Sequence, residues 1–100
     1  MADAYLVDPL GRHVELSDAT WYGHIIRNHR EMAMLRPQVE RTISAPTEVR
    51  LSASDADCRL FYGPSPRDGL MICVVADIVA GCVKTAYLAR RVKQGEVEWP

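Results

Sequence analysis

Four strand-length segments follow residue 46, and the links between them are too short to cross over. Residues 48–52, 58–63, 70–79 and 82–89 are rich in apolar and β-branched side chains, and each is bounded by turn residues. The separators are the polar stretch 53–57, Pro64-Ser-Pro-Arg-Asp-Gly69 and the pair Ala80-Gly81. Parallel neighbours need a connection of about a dozen residues or more, so these four segments are expected to pair as an antiparallel meander. Residues 70–76 form the longest unbroken apolar run, which predicts a central strand covered on at least one face.

The rest of the chain is read around that sheet. Segments 4–7 and 14–16 flank Asp8-Pro-Leu-Gly-Arg12, which predicts a short hairpin. Ser17 or Asp18 is a suitable N-cap for a helix over about residues 19–29. At about 100° per residue, Trp21, Tyr22, Ile25 and Ile26 share a stripe that His29 continues, while His24 lies on the flank beside Asn28. A second helix starts near Pro37, with Leu35, Val39 and Ile43 on one face, and ends before Pro46. Met32, Met34 and Leu35 are expected to be packing residues. Residues 96–99 are expected as an extra edge strand or a docked tail. A length of 100 residues gives one domain: a hairpin over 1–16, helices over 17–45, sheet over 46–89 and a C-terminal tail over 90–100. The expected class is α+β, with N-terminal helices packed on one face of a four-stranded antiparallel sheet.

Composition narrows the function classes. Hydrophobic residues at 48% and charged residues at 25% argue against disorder. No apolar run approaches the roughly 18 residues a membrane span needs, and residues 1–5 do not begin a signal peptide. The three cysteines, Cys58, Cys73 and Cys82, lie in apolar strands without paired spacing, so neither disulfides nor zinc is expected, and a cytoplasmic setting follows. A net charge of −1 argues against a large non-specific nucleic-acid binder. Yet Lys84, Arg90, Arg91 and Lys93 occur without an acid over residues 78–95, a local patch suited to a phosphate backbone or simply a solvated face.

The chemistry sits in two places. His24-Ile-Ile-Arg-Asn-His29 brings two imidazoles and a cation to one helix; Val83-Lys-Thr-Ala-Tyr87 brings an ammonium, a hydroxyl and a phenol to one strand. RNA cleavage without metal needs a base to take the 2′-hydroxyl proton, an acid for the leaving 5′-oxygen, and positive charge or donors for the phosphorane. Histidine titrates near neutral pH and suits both proton steps. Arg27, Lys84 or Lys93 would supply charge, and Thr85 or Tyr87 hydrogen bonds. Strand alternation places Val83, Thr85, Tyr87 and Ala89 on one face. The plainer alternative makes His29 a ring bonded to a carbonyl at the helix end, and Thr85 and Tyr87 ordinary strand residues. His24 and His29 lie about 140° apart around a helix, so they do not form a metal pair, and neither metal nor cofactor is expected.

Taken in order, these residues resemble a known pattern. It comprises His24-Ile-Ile-Arg-Asn-His29, Val39-Glu-Arg-Thr-Ile-Ser-Ala-Pro46, Arg59-Leu-Phe-Tyr62, the run 70–76, Val83-Lys-Thr-Ala-Tyr87 and Lys93-Gln-Gly-Glu-Val-Glu-Trp99. The chain resembles the phage-borne nuclease families of the barnase, EndoU, colicin-tRNase and RelE superfamily over about residues 21–99. The resemblance implies a metal-independent endoribonuclease acting on tRNA or mRNA, a toxin or mobile-element effector countered by an antitoxin or immunity protein. It implies catalytic or substrate roles for His24, His29, Tyr62, Thr85 and Tyr87, and a phosphate contact for Lys93. The near-neutral charge departs from strongly basic RelE-type toxins. The alternatives are a non-catalytic binding or assembly module, forming a homodimer, and a small-molecule pocket lined by Trp21, Tyr62 and Tyr87.

Overall fold

A computed structural model describes residues 2–100. The helical part begins where the Ser17 hydroxyl accepts the Thr20 backbone N–H at 3.0 Å, satisfying one of the donors a helix start leaves open. Helix α1 (Asp18–Thr20) runs into a π-helical turn (Trp21–Ile25) and then α2 (Ile26–Asn28), continuous over residues 18–28. A 3₁₀ turn (Arg30–Met32) leads to α3 (Arg36–Ser44), with Pro37 in its first turn.

The π turn corrects the stripe expected for a regular helix. Its wider i→i+5 bond, from the Ile26 N–H to the Trp21 carbonyl, slows the advance around the axis. Trp21 and Ile25 are buried together, whereas Tyr22 is 46% exposed. Met34 departs as well: at 87% exposed it packs nothing, while Met32 and Leu35 enter the core.

The expectation of helices on a four-stranded sheet is overturned. The molecule is mostly sheet: seven strands of mixed direction in a curled half-barrel. They are β1 (Ala4–Val7), β2 (His13–Leu16), β3 (Glu48–Leu51), β4 (Cys58–Pro64), β5 (Met71–Asp77), β6 (Cys82–Ala89) and β7 (Val97–Trp99). Their order is β1-β2-β6-β5-β4-β3-β7, with β5 at the centre. Strands β3 to β6 pair antiparallel, but both chain ends extend the sheet. At one side the β1–β2 hairpin joins β6 through a single parallel pair, Glu15 with Cys82, and the Glu15 N–H donates to the Gly81 carbonyl at 2.8 Å. At the other, β7 pairs antiparallel with β3. Gly81 makes the first junction possible: its φ is +77°, and a Cβ there would lie 3.2 Å from the His13 carbonyl oxygen. Paired edges leave fewer free backbone groups than a four-stranded sheet with loose ends, which is why short terminal segments are drawn in.

The core lies between the helices and one face of this sheet. Trp21, Ile25, Met32, Val39 and Ile43 pack against Val14, Leu16, Val49, Phe61, Ile72 and Val74. Helix α3 sits close: a Cβ on Gly63 of β4 would fall 2.6 Å from the Thr42 hydroxyl oxygen. A smaller cluster covers the opposite face, where Leu60, Tyr62 and Cys73 are joined by Val75, Tyr87 and, from the tail, Val92. The three cysteines are free, Cys58 and Cys73 buried and Cys82 half-buried.

A β-bulge decides which face the functional strand presents. Val83 pairs with Ala76 and Thr85 with Val75, so Lys84 is an extra residue. Val83 therefore turns into the helix-side core, while Thr85, Tyr87 and Ala89 keep to the other face. This corrects the expectation that all four share one side. Among the described residues no helix is long and apolar enough to cross a membrane.

An ionic chain ties the hairpin turn to the far end of the sheet. Asp8 accepts from Arg12 Nε at 2.7 Å, Arg12 grips both Glu98 oxygens at 3.0 and 2.7 Å, and Arg59 Nε reaches Glu98 at 2.8 Å. Hydrogen bonding from Arg12, with Arg59 behind it, holds the Glu98 carboxyl below its ordinary pKa although burial opposes the charge. The stability this contributes is present above the unfolded pKa of about 4.3 and is lost as pH falls through the lower folded value. Glu98→Gln is expected to cost about 1–3 kcal/mol at pH 7, because two arginines lose a charged acceptor. Urea unfolding at pH 7 and pH 3 checks this: the difference between variant and parent shrinks at the lower pH.

Candidate functional site

The bulge lifts Lys84 out of the ladder and sets Thr85 at the junction of two hollows. The larger, about 600 Å³, is lined by Thr20, His24, Ser54, Asp55, Lys84 and Thr85 among others. The smaller, about 440 Å³, adds Tyr87, Lys93 and Gln94. Ser52, Ser54, Val75 and Thr85 line both, so together they form one groove across the outer face of β5 and β6.

His24 enters this groove from the exposed side of the π turn. The Asn28 side-chain amide donates to the His24 carbonyl at 2.8 Å and lies 3.2 Å from its Nδ1. An amide nitrogen only donates, so this contact suits a ring nitrogen that accepts at Nδ1. His29 stands where the helix ends. Its ring centroid is 5.7 Å from that of Tyr87, inclined 38°, and its Nδ1 is 3.9 Å from a Glu31 carboxylate oxygen. The side chain is 33% exposed. Thr85 and Tyr87 are about 7 Å apart along one face of β6, so both imidazoles meet the same strip of strand.

Tyr87 offers its ring rather than its hydroxyl. The phenol oxygen is buried without a nitrogen or oxygen partner and faces the Cys73 thiol. Burial pushes its pKa far above the ordinary 10, so it stays protonated. The Thr85 hydroxyl is likewise buried and unpartnered. Lys93 Nζ lies 5.6 Å from the Tyr87 ring centroid, a cation–π contact. Tyr62, expected at the substrate, is only 2% exposed. Its hydroxyl instead accepts the Lys93 backbone N–H at 3.0 Å and fastens the tail, and burial raises its pKa to about 12. Arg27 is exposed on α2 and lines neither hollow. Trp21 belongs to the core, not to a pocket shared with Tyr62 and Tyr87.

The loop 52–55 and Gln94 escape sequence reasoning. The Ser52 hydroxyl accepts the Ser54 and Asp55 backbone N–H groups at 3.3 Å, folding the loop over the groove. Its only signal is a polar Ser-Ala-Ser-Asp run, which equally marks any turn. The groove carries mixed charge, with Asp55 beside Lys84 in the larger hollow and Lys93 in the smaller. Arg12, Arg36, Arg50 and Arg59 are engaged by carboxylates. Among the described residues, Lys84 and Lys93, which line the groove, have no such ion pair. No three His, Cys, Asp or Glu side chains among the described residues gather into a metal-binding group. Comparison with protein families, curated proteins and solved structures found no match.

Proposed function

We propose that this chain is a small endoribonuclease of the kind its sequence resembles, the barnase, EndoU, colicin-tRNase and RelE superfamily, cutting RNA without a metal ion. The supporting observation is the convergence of His24, Lys84 and Thr85 on one hollow, with His29 against Tyr87 one position further along the same strand face.

The roles follow from the ring nitrogens. Glu31 favours a proton on His29 Nδ1, which leaves Nε2 free to take the proton from the 2′-hydroxyl. The 2′-oxygen then attacks the adjacent phosphorus, and the bond to the 5′-oxygen breaks. His24, in its imidazolium form, gives a proton from Nε2 to that leaving oxygen and becomes the neutral ring. The products are a 2′,3′-cyclic phosphate and a free 5′-hydroxyl. Lys84 and Lys93 stabilise the charge on the phosphorane, and the Tyr87 ring positions His29 and Lys93. The substrate class is tRNA or mRNA, and a toxin role would require an antitoxin or immunity protein.

Chelator-treated protein is expected to cleave single-stranded RNA to fragments ending in cyclic phosphate, with affinity that weakens steeply with salt. Intact RNA after long incubation at micromolar protein, together with unharmed cells on overexpression, overturns the proposal. A second reading, a non-catalytic assembly module, is favoured by one observation. The edge strand β1 and its turn expose Tyr5 at 78%, Val7 at 48% and Leu10 at 48%. It requires a second copy paired along β1, visible as a dimer mass in light scattering.

A further inference from the structure

We propose that Tyr62 is a positioning residue for the cleavage, acting through Lys93, an inference that rests on the ribonuclease reading. Tyr62, Cys73 and Tyr87 stand in one row across the outer face of the sheet. Tyr62 of β4 pairs with Cys73 of β5, and Cys73 pairs with Tyr87 of β6. Neighbouring strands lie about 4.8 Å apart, so the two tyrosine positions are separated by about 10 Å. The tail passes over this row on its way from β6 to β7, which lies beyond β3. Lys93 spans the row: its backbone N–H donates to the Tyr62 hydroxyl at 3.0 Å, and its ammonium lies 5.6 Å from the Tyr87 ring centroid.

Both ends of that span are needed. A lysine stem is flexible and a surface cation–π contact is weak, so the Tyr87 ring alone does not fix the charge. The larger motion is that of the tail backbone, and the Tyr62 hydroxyl restrains it at residue 93 itself. The next hold comes two residues on, where Arg50 donates to the Gly95 carbonyl at 3.1 Å. The Tyr62 ring is buried, so its hydroxyl is a fixed anchor point. Burial lifts the phenol to a pKa of about 12, so it keeps its proton at neutral pH and moves none itself. A charge that is already in place when the phosphorane forms stabilises it more than one that must first be brought there. Tyr62 therefore reaches the reaction without touching the substrate.

Tyr62→Phe removes the acceptor and keeps the ring. It is expected to lower kcat for cleavage of a single-stranded RNA about tenfold with KM little changed, and to speed hydrogen exchange at the Lys93 amide. The loss is the same across the neutral pH range, because the phenol does not titrate there. Lys93→Ala supplies the second background: it keeps the backbone N–H but has no ammonium to place. Tyr62→Phe in that background is expected to cost nothing further, whereas a merely structural loosening would cost the same in both. Val92→Gly frees the same stretch of tail without altering β4, and is expected to act in the same way. It carries the test if circular dichroism shows Tyr62→Phe to be unfolded. Unchanged kcat, or an equal loss with and without the Lys93 side chain, rejects the inference, and cleavage by the parent then leaves the ribonuclease reading standing. If the parent protein cleaves no RNA, both fall.

Discussion

His24→Ala and His29→Ala each lower kcat for RNA cleavage by about 10²–10⁴-fold, the contribution of a positioned acid or base. Neither change should unfold the protein. His24 is exposed, and its substitution forfeits only contacts with Asn28. His29 loses its ring contact with Tyr87, worth about 0.5–1.5 kcal/mol. The double variant falls little below either single one if the two act in one reaction, because groups that work as a unit are strongly non-additive. Tyr87→Phe separates ring from hydroxyl. The buried phenol oxygen has no nitrogen or oxygen partner, so activity and stability are expected to stay near those of the parent. A large loss in Tyr87→Phe, or unchanged rates in both histidine variants, contradicts the assigned roles. Single-turnover rates on one labelled RNA make the comparison.

Trp21→Ala carries the largest expected cost in stability, about 3–5 kcal/mol. The indole is 2% exposed and sits where the π turn meets the core. It also supports a buried cation: the Arg36 guanidinium lies 5.7 Å from the ring centroid. That guanidinium is held by Asp18 at 2.7 Å, Glu40 at 3.2 Å and the Ala2 carbonyl at 3.1 Å. Removing the ring leaves a cavity and opens Arg36 to solvent, loosening α1 from α3. A domain of this size has about 5–15 kcal/mol in total, so most of its margin is lost. Urea unfolding followed by circular dichroism measures it; a loss under 1 kcal/mol shows that the site collapses around the gap.

Legibility from sequence tracked the range of the interaction involved. The Ser17 cap, the burial of Leu35, Val39 and Ile43, and the position of β5 at the sheet centre all rest on local pattern, and all are seen. Pairing of the chain ends is non-local: nothing in residues 13–16 marks Cys82 as their neighbour, nor in 97–99 that they lie on β3. The four-stranded expectation failed there. Phase errors had a different origin. A wider helical turn shifted Tyr22 outward, and one extra residue shifted Val83 inward, each from a local irregularity that a fixed period does not contain. Among the site residues, His24, His29, Lys84, Thr85, Tyr87 and Lys93 border the groove or its ring contacts; Arg27 and Tyr62 do not reach it.

The extra residue at position 84 absorbs one step of β6 without changing which side the strand seats. Val83 before it and Ala86 and Leu88 after it all face the helices, while Thr85 and Tyr87 turn to the opposite side of the sheet. Exchange at 85 therefore leaves Val83 and Ala86 where they were, because it falls on the other layer.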